Sequence, residues 1–437
     1  MTNFIQQWFL RLNSRPFVGS AALPLEGWGS GRIPTLNGFR ALAILAVIFH
    51  HATIPLVGAH PLLRFTERGS MGVDVFFALS GFLICTLLIK EINKSGRIDL
   101  KGFYLRRLFR ILPAYYAYLG FVFVLTCFGI CRIQLAEWIA CLTFTKNYLP
   151  SHFWAWQTGH FWSLSVEEHF YLIFPAMLAL VGIPRMRRWL PAFLILAAAW
   201  RMLDYRLHLF DRLIAGVPFP FRSDMRLDGI AFGCLTALLV ANPRIRGAMQ
   251  KRVSSVVIIA MLLSLHTLIV TKLPMSILLE RALIPVIIAA TALRPELWAA
   301  RWLEWSFFQW VARLSYSLYL WQQLFFTPTV SSNVLWFHSS FARRLMLQQN
   351  IDGIWAFQLP FLMAGTFLMA MFSYHFIEQP SLRLGRRWMA SRTLRHSVTP
   401  QSTACNFPVR SYQPFTDTPR PLVLRELSDS HYKESLS

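Results

Sequence analysis

An arginine and a histidine, Arg40 and His51, stand at the two ends of one apolar stretch, ALAILAVIFH. Nine of the ten residues between Arg40 and His51 are apolar, and the tenth is a second histidine, His50. A helix rises about 1.5 Å per residue, so eleven steps carry His51 roughly 16 Å beyond Arg40. With Arg40 at one face of a bilayer about 30 Å thick, His51 is expected near the middle. An ionisable side chain is costly there and is a functional candidate by default. Neutral imidazole takes a proton from a hydroxyl at neutral pH, so general-base chemistry is the first expectation. Arg40 taken alone also fits an interfacial anchor, and His51 taken alone also fits a packing histidine. His50 points to another side of the helix, about 100° away, and spacing leaves both imidazoles open.

A second cluster lies at Arg106, Arg107 and Arg110. Arg107 and Arg110 are three apart and share a helix face, with Arg106 beside them. Arginine forks bind phosphate in pairs of hydrogen bonds, and a helix N-terminus adds positive potential. Simple anchoring of the membrane orientation is the competing reading. A third cluster runs from His160 to Tyr171 and contains Glu167, Glu168 and His169. Two adjacent carboxylates cannot both face lipid cheaply, so at least one should point into the helix bundle. For Asp74, Arg226 and Asp228 the competing reading is a structural salt bridge that positions helices, and for Asp228 it explains the residue as well as a direct role does. Arg313 and Ser315 fall in another apolar run and fit packing contacts.

The elements that carry these residues are helices in a membrane. The chain has 437 residues, 55% hydrophobic and only 15% charged, where soluble domains carry about a quarter. Its mean hydropathy is +0.43. Apolar runs near 35–57, 71–90, 111–130, 162–182, 189–208, 226–242, 253–272, 276–293, 306–328 and 354–377 are each long enough to cross. The alternating segments of a membrane barrel are missing. The expected fold is therefore an all-α polytopic membrane protein with about ten transmembrane helices and no separate soluble domain. Residues 134–149 are apolar but short, and an interfacial or re-entrant segment is expected there. The expected division is a cytoplasmic N-terminal segment at 1–33, the membrane domain at 34–388, and a disordered cytoplasmic tail at 389–437, rich in Ser, Thr, Pro and mixed charge.

Lys and Arg set the orientation. A cytoplasmic N-terminus places the basic loop 90–110, the cluster at Arg185, Arg187 and Arg188, and the C-terminal cluster from Arg383 to Arg395 on the inner side. An even number of spans returns the C-terminus there too. The first span is expected to act as an uncleaved signal, because residues 1–33 lack a continuous apolar core and a small-residue cleavage site. The net charge of +22 is spread over short loops without an aromatic platform, so no nucleic-acid partner is expected. Cys85, Cys127, Cys131, Cys141, Cys234 and Cys405 have no metal-type spacing and read as packing residues, with Cys127 and Cys131 on one helix face. No metal site is expected.

These ordered segments resemble the integral-membrane acyltransferase family 3, of the O-acetylase type that modifies surface carbohydrates. The family's arginine, ten residues, histidine pattern falls on Arg40 and His51, which selects His51 over His50. Its GVDxFFxLSGFL stretch is similar to Gly72 through Leu83. Its RRxxRIxPxY motif falls on Arg106, Arg107, Arg110, Ile111, Pro113 and Tyr115. Its WSLSVExxFY motif falls on Trp162 through Tyr171, with Glu167 at the acidic position. Ser373 through Pro380 resembles the last family helix. The likeness covers residues 33–388. It departs after Trp321, where members often carry histidine and this chain has Gln322 and Gln323. The SGNH-type hydrolase-like domain of some relatives is not seen.

The resemblance implies transfer of an acyl group, acetyl by expectation, from cytoplasmic acyl-CoA to a hydroxyl of a cell-surface or lipid-linked carbohydrate, in the inner (plasma) membrane. No bound cofactor is expected; acyl-CoA (acetyl-CoA) is a co-substrate. Arg40, Arg106, Arg107 and Arg110 would hold the donor phosphates. His51 would act as general base or carry the acyl group transiently, and Glu167 would orient His51 or bind the sugar. His160, Asp74, Arg226 and Asp228 would lie on the acceptor side or be structural. A transporter or flippase for a polar lipid or glycan accounts equally for polar residues inside helices, but the matching broken halves of such proteins are not evident. A non-catalytic scaffold leaves the Arg40–His51 pairing unexplained.

Overall fold

The computed structural model describes residues 34–54, 69, 71–271, 276–326 and 351–397. Every long element among them is a helix, as lipid demands of a chain that must satisfy its own backbone. In chain order these are α1 (Pro34–Thr53), α2 (Met71–Ser95), α3 (Leu100–Cys127), α4 (Leu135–Leu142), α5 (Phe161–Leu207), α6 (Ser223–Val240), α7 (Pro243–Arg252), α8 (Ser255–Thr271), α9 (Ser276–Leu293), α10 (Ser306–Phe325), α11 (Ile351–Ser373) and α12 (Gln379–Ser397). The protein is an all-α polytopic membrane protein. The described residues up to Ala390 form one compact unit. The tail expected at 389–437 lies outside the described residues beyond 397, as does the segment 1–33.

Six of the described helices are long and apolar enough to cross a bilayer, and seven if α7 and α8, bent by 94°, count as one broken span. Ten runs were expected, and the difference has local causes. The expected spans 162–182 and 189–208 are the two helical stretches of α5, 47 residues long, which meet at a break at Gly182, where φ is 80°. Only glycine adopts that conformation cheaply, and Pro184 follows it. The runs expected at 226–242 and 306–328 are helical as α6 and α10 but more polar, because they carry ionic and amide groups into the bundle.

Two other expectations change. The first helix stops at Thr53 rather than near 57. Ile54 precedes Pro55, and a residue before proline avoids the helical region. His51 therefore sits in the last turn of α1. Cys131 does not share a helix with Cys127: α3 ends at Cys127, and Gly129 turns the chain with φ at 71°.

Residues 134–149 form α4 and a turn. Eight residues make a helix of about 12 Å, too short to cross. Three 3-10 turns then lead back toward α5. Glu137 anchors this segment from inside. It pairs with Lys146, and both side chains are fully buried. It also accepts from the Thr158 hydroxyl and, at 2.9 Å, from the Ala155 amide. Burial pulls the Lys146 ammonium below the usual lysine range, and the charge of Glu137 opposes that shift.

The core is built on α2 and α6. Their backbones touch at Gly81 and Gly233, where any side chain would strike the partner's carbonyl. Small residues allow such approach in membranes, where dispersion rather than water drives packing. This contact sets Ser80, next to Gly81, facing α5.

Candidate active site

A cavity of about 470 Å³ opens between α1, α2, α3, α5, α10 and the end of α11. Arg40 from α1, Lys90 from α2 and Arg107 and Arg110 from α3 line one part of it. Arg107 and Arg110 reach it together because they are one turn apart on α3. Arg106, one residue earlier, points away, is exposed, and lies 3.7 Å from Glu91. Three of the four expected arginines therefore line the cavity, and Lys90 and Arg313 join them. The Arg107 guanidinium lies 4.8 Å from the centre of the Tyr171 ring, a cation–π contact that fixes its direction. Among the described residues, none of Arg40, Arg107 and Arg110 lies within 4.0 Å of a carboxylate. Their charge remains available to an anion.

Glu167 and Glu168 line the same cavity. Glu167 accepts from Ser80 at 2.9 Å and from the Tyr171 hydroxyl at 3.1 Å. It does not orient His51. Glu378 joins the lining from a π-helical turn, Tyr374–Glu378, that ends α11. Such turns are a single-residue irregularity common at functional sites. Glu378 accepts from Ser317 at 3.1 Å. Its signal in the sequence was an isolated carboxylate at the end of an apolar run.

His51 is outside this lining. Its Nδ1 lies 2.9 Å from Oε1 of Gln322, at the end of α10. The Trp156 ring meets it edge-on, with centroids 5.6 Å apart. The His50 ring lies beside it, with centroids 5.2 Å apart and the ring planes tilted by 50°. His160, 3% exposed, is also outside the lining, and its ring packs on Tyr118, Phe161 and Tyr319. The His160 amide donates to Oε1 of Gln323 at 2.9 Å, and the Trp156 indole donates to the Gln323 carbonyl at 2.8 Å. Two consecutive glutamines thus hold the two imidazole-bearing segments together. The cavity wall facing them is made by Ser163 and Tyr319, whose hydroxyls are hydrogen-bonded.

Asp74, Arg226 and Asp228 belong elsewhere. Arg226 pairs with Asp74 at 3.0 Å, Arg281 reaches Asp74 at 3.2 Å and Asp228 at 2.7 Å, and Arg201 completes the set on Asp228 at 2.7 Å. Both Asp228 oxygens are occupied, and the residue is 1% exposed. Of the two readings of these residues, this arrangement is the structural one: it ties α2, α5, α6 and α9. Sequence reasoning missed Arg201 and Arg281, although an arginine inside the apolar run of α9 was the available signal.

A family model described as an acyltransferase domain matches residues 33–375. The chain is 27% identical over 383 residues to a peptidoglycan O-acetyltransferase of Listeria monocytogenes, covering 81% of this chain and 56% of that protein. It is 27% identical over 377 residues to a putative O-acetyltransferase of Staphylococcus aureus, covering 81% and 58%. Against an O-acetyltransferase of another Staphylococcus aureus strain it is 26% identical over 380 residues, with the same coverage. The chain thus spans a little over half the length of these relatives. No solved structure matches.

Proposed function

This chain belongs to acyltransferase family 3, and from that premise we propose that it moves an acetyl group from acetyl-CoA to a hydroxyl of a cell-envelope carbohydrate, peptidoglycan being the first candidate. The observation that carries this reading is the cavity lined by Arg40, Arg107, Arg110 and Lys90. A pyrophosphate with a further phosphate is the kind of polyanion that such a set holds. Coenzyme A offers that head and a long, thin, mostly uncharged arm. The cavity's far wall, at Ser163 and Tyr319, separates that arm from the imidazoles by side chains rather than by backbone. In this reading the Arg40 end of the bundle faces the cytoplasm of a plasma-membrane protein, and the carbohydrate arrives at the His51 end.

The chemistry assigned to the centre is direct transfer. Nε2 of His51 takes the proton from the acceptor hydroxyl. The oxygen forms a bond to the thioester carbonyl carbon, and a tetrahedral oxyanion results. Its collapse breaks the carbon–sulfur bond, and the leaving thiolate takes the proton back from the imidazolium. Glu167, on the same wall as Arg107, restrains the donor end rather than the base.

The test is purified protein in lipid nanodiscs with radiolabelled acetyl-CoA and a peptidoglycan oligosaccharide. Ester-linked label should appear on the sugar with the wild type and vanish with His51→Ala at equal protein level. Labelling retained by His51→Ala would move the chemistry elsewhere.

A further inference from the structure

Gln322 stands where the family resemblance leads one to expect histidine, and its surroundings are unusual. It is fully buried. Its Oε1 is 2.9 Å from Nδ1 of His51. A carbonyl oxygen can only accept, so the imidazole proton sits on Nδ1 and Nε2 carries the free lone pair. The other end of the same amide, Nε2 of Gln322, is buried and has no hydrogen-bond partner among the described residues. The neighbouring Trp321 indole nitrogen shares that condition. A buried donor left unmade carries a desolvation cost. Native proteins rarely carry that cost, and functional centres are one of the places where they do. Here two unmade donors lie on consecutive residues of α10, one of them bonded to His51.

We infer that Gln322 is a second catalytic group of this centre: one end of its amide orients His51 and the other donates a hydrogen bond to the acyl carbonyl oxygen. The inference rests on the transfer reading given above. The amide is planar, so fixing Oε1 on His51 also fixes the direction of its N–H groups. A donor preset in a dry site stabilises the oxyanion without reorganising when charge develops on it. The electron pair of the carbonyl bond moves onto that oxygen as the acceptor oxygen adds, and returns when the carbon–sulfur bond breaks. No proton passes through Gln322. A neutral amide suits this double task, because it accepts at one end and donates at the other at every pH.

The experiment uses the full chain in nanodiscs with acetyl-CoA as the probe, and compares Gln322→Leu, Gln322→Glu and His51→Ala with the wild type. Gln322→Glu keeps an oxygen for Nδ1–H, and Gln322→Leu keeps neither function. We expect kcat to fall about 100-fold or more in both, the usual effect of losing one oxyanion donor, while donor affinity stays within threefold. Preserved acetyl-CoA binding also shows that the variants fold. The carbonyl stretch of bound, carbonyl-labelled acetyl-CoA, read by isotope-edited infrared spectroscopy, should lie lower in the wild type than in either variant. Should both variants retain kcat within threefold, or Gln322→Glu keep the wild-type kcat or stretch, the inference fails while a dead His51→Ala leaves the transfer reading intact. An active His51→Ala enzyme overturns both.

Discussion

The Tyr319 hydroxyl donates to the backbone carbonyl of His160 across 3.0 Å. Its ring packs on the His160 ring, with centroids 5.3 Å apart, and on its other side it lines the cavity and meets Phe76. This side chain is therefore the partition between the basic cavity and the His160 ring. Its position follows from α10, which also carries Gln322 and Gln323 one turn later.

Removing the partition should let water and the thioester meet. With Tyr319→Ala, release of free coenzyme A from acetyl-CoA in the absence of any sugar should rise several-fold, measured by a thiol reagent. An unchanged release rate would show that Tyr319 is not the barrier.

The arginines should divide cleanly. Charge-assisted hydrogen bonds contribute about 1.5–3 kcal/mol, so Arg107→Ala or Arg110→Ala should weaken acetyl-CoA binding about 10- to 100-fold by titration calorimetry. Arg106→Ala should change it less than twofold, because Arg106 faces Glu91 outside the cavity. Equal losses in all three would point to general attraction of the surface rather than to a site.

Asp228 should matter for stability. It holds Arg201 and Arg281, both with little exposure, in the middle of the bundle. Removing one partner of a buried ionic set typically costs about 3–5 kcal/mol, since the charges left behind remain desolvated. Asp228→Ala should lower the unfolding midpoint markedly in a detergent-solubilised thermal assay, and Asp228→Asn should lower it less. A midpoint equal to wild type for Asp228→Ala would mean that water reaches the network.

Glu137 links stability to the site. It ties the turn that carries Ala155, Trp156 and Thr158, and Trp156 contacts His51. Glu137→Ala also strands the buried Lys146 ammonium. Both a loss of thermal stability and a fall in kcat are expected, with the double variant Glu137→Ala, Lys146→Met more stable than the single one. If the double variant is no better, the stranded charge is not the cause.

Much of the architecture was legible in the residues. Long apolar runs can only be helices in lipid, so the all-α membrane fold followed from composition and length. The one-turn spacing of Arg107 and Arg110 put both on one face, and they do reach the same cavity. Gly182 closes one expected run and marks the break in α5, while the run expected at 35–57 passes over Pro55, the signal for an early stop in α1.

What the tertiary structure decided is which helix surfaces meet. A membrane helix that is apolar nearly all round has no strong amphipathic stripe, so its sequence does not say which side turns inward. Glu167 therefore pairs with Ser80 and Tyr171 rather than His51, Arg106 faces outward, and Arg281 closes the network of Asp74 and Asp228. His51 finds its partner at Gln322, 271 positions away. Hydrogen bonds of that kind depend on the crossing and rotation of two helices, and those are set by packing of small residues across the whole bundle rather than by any local run of the chain.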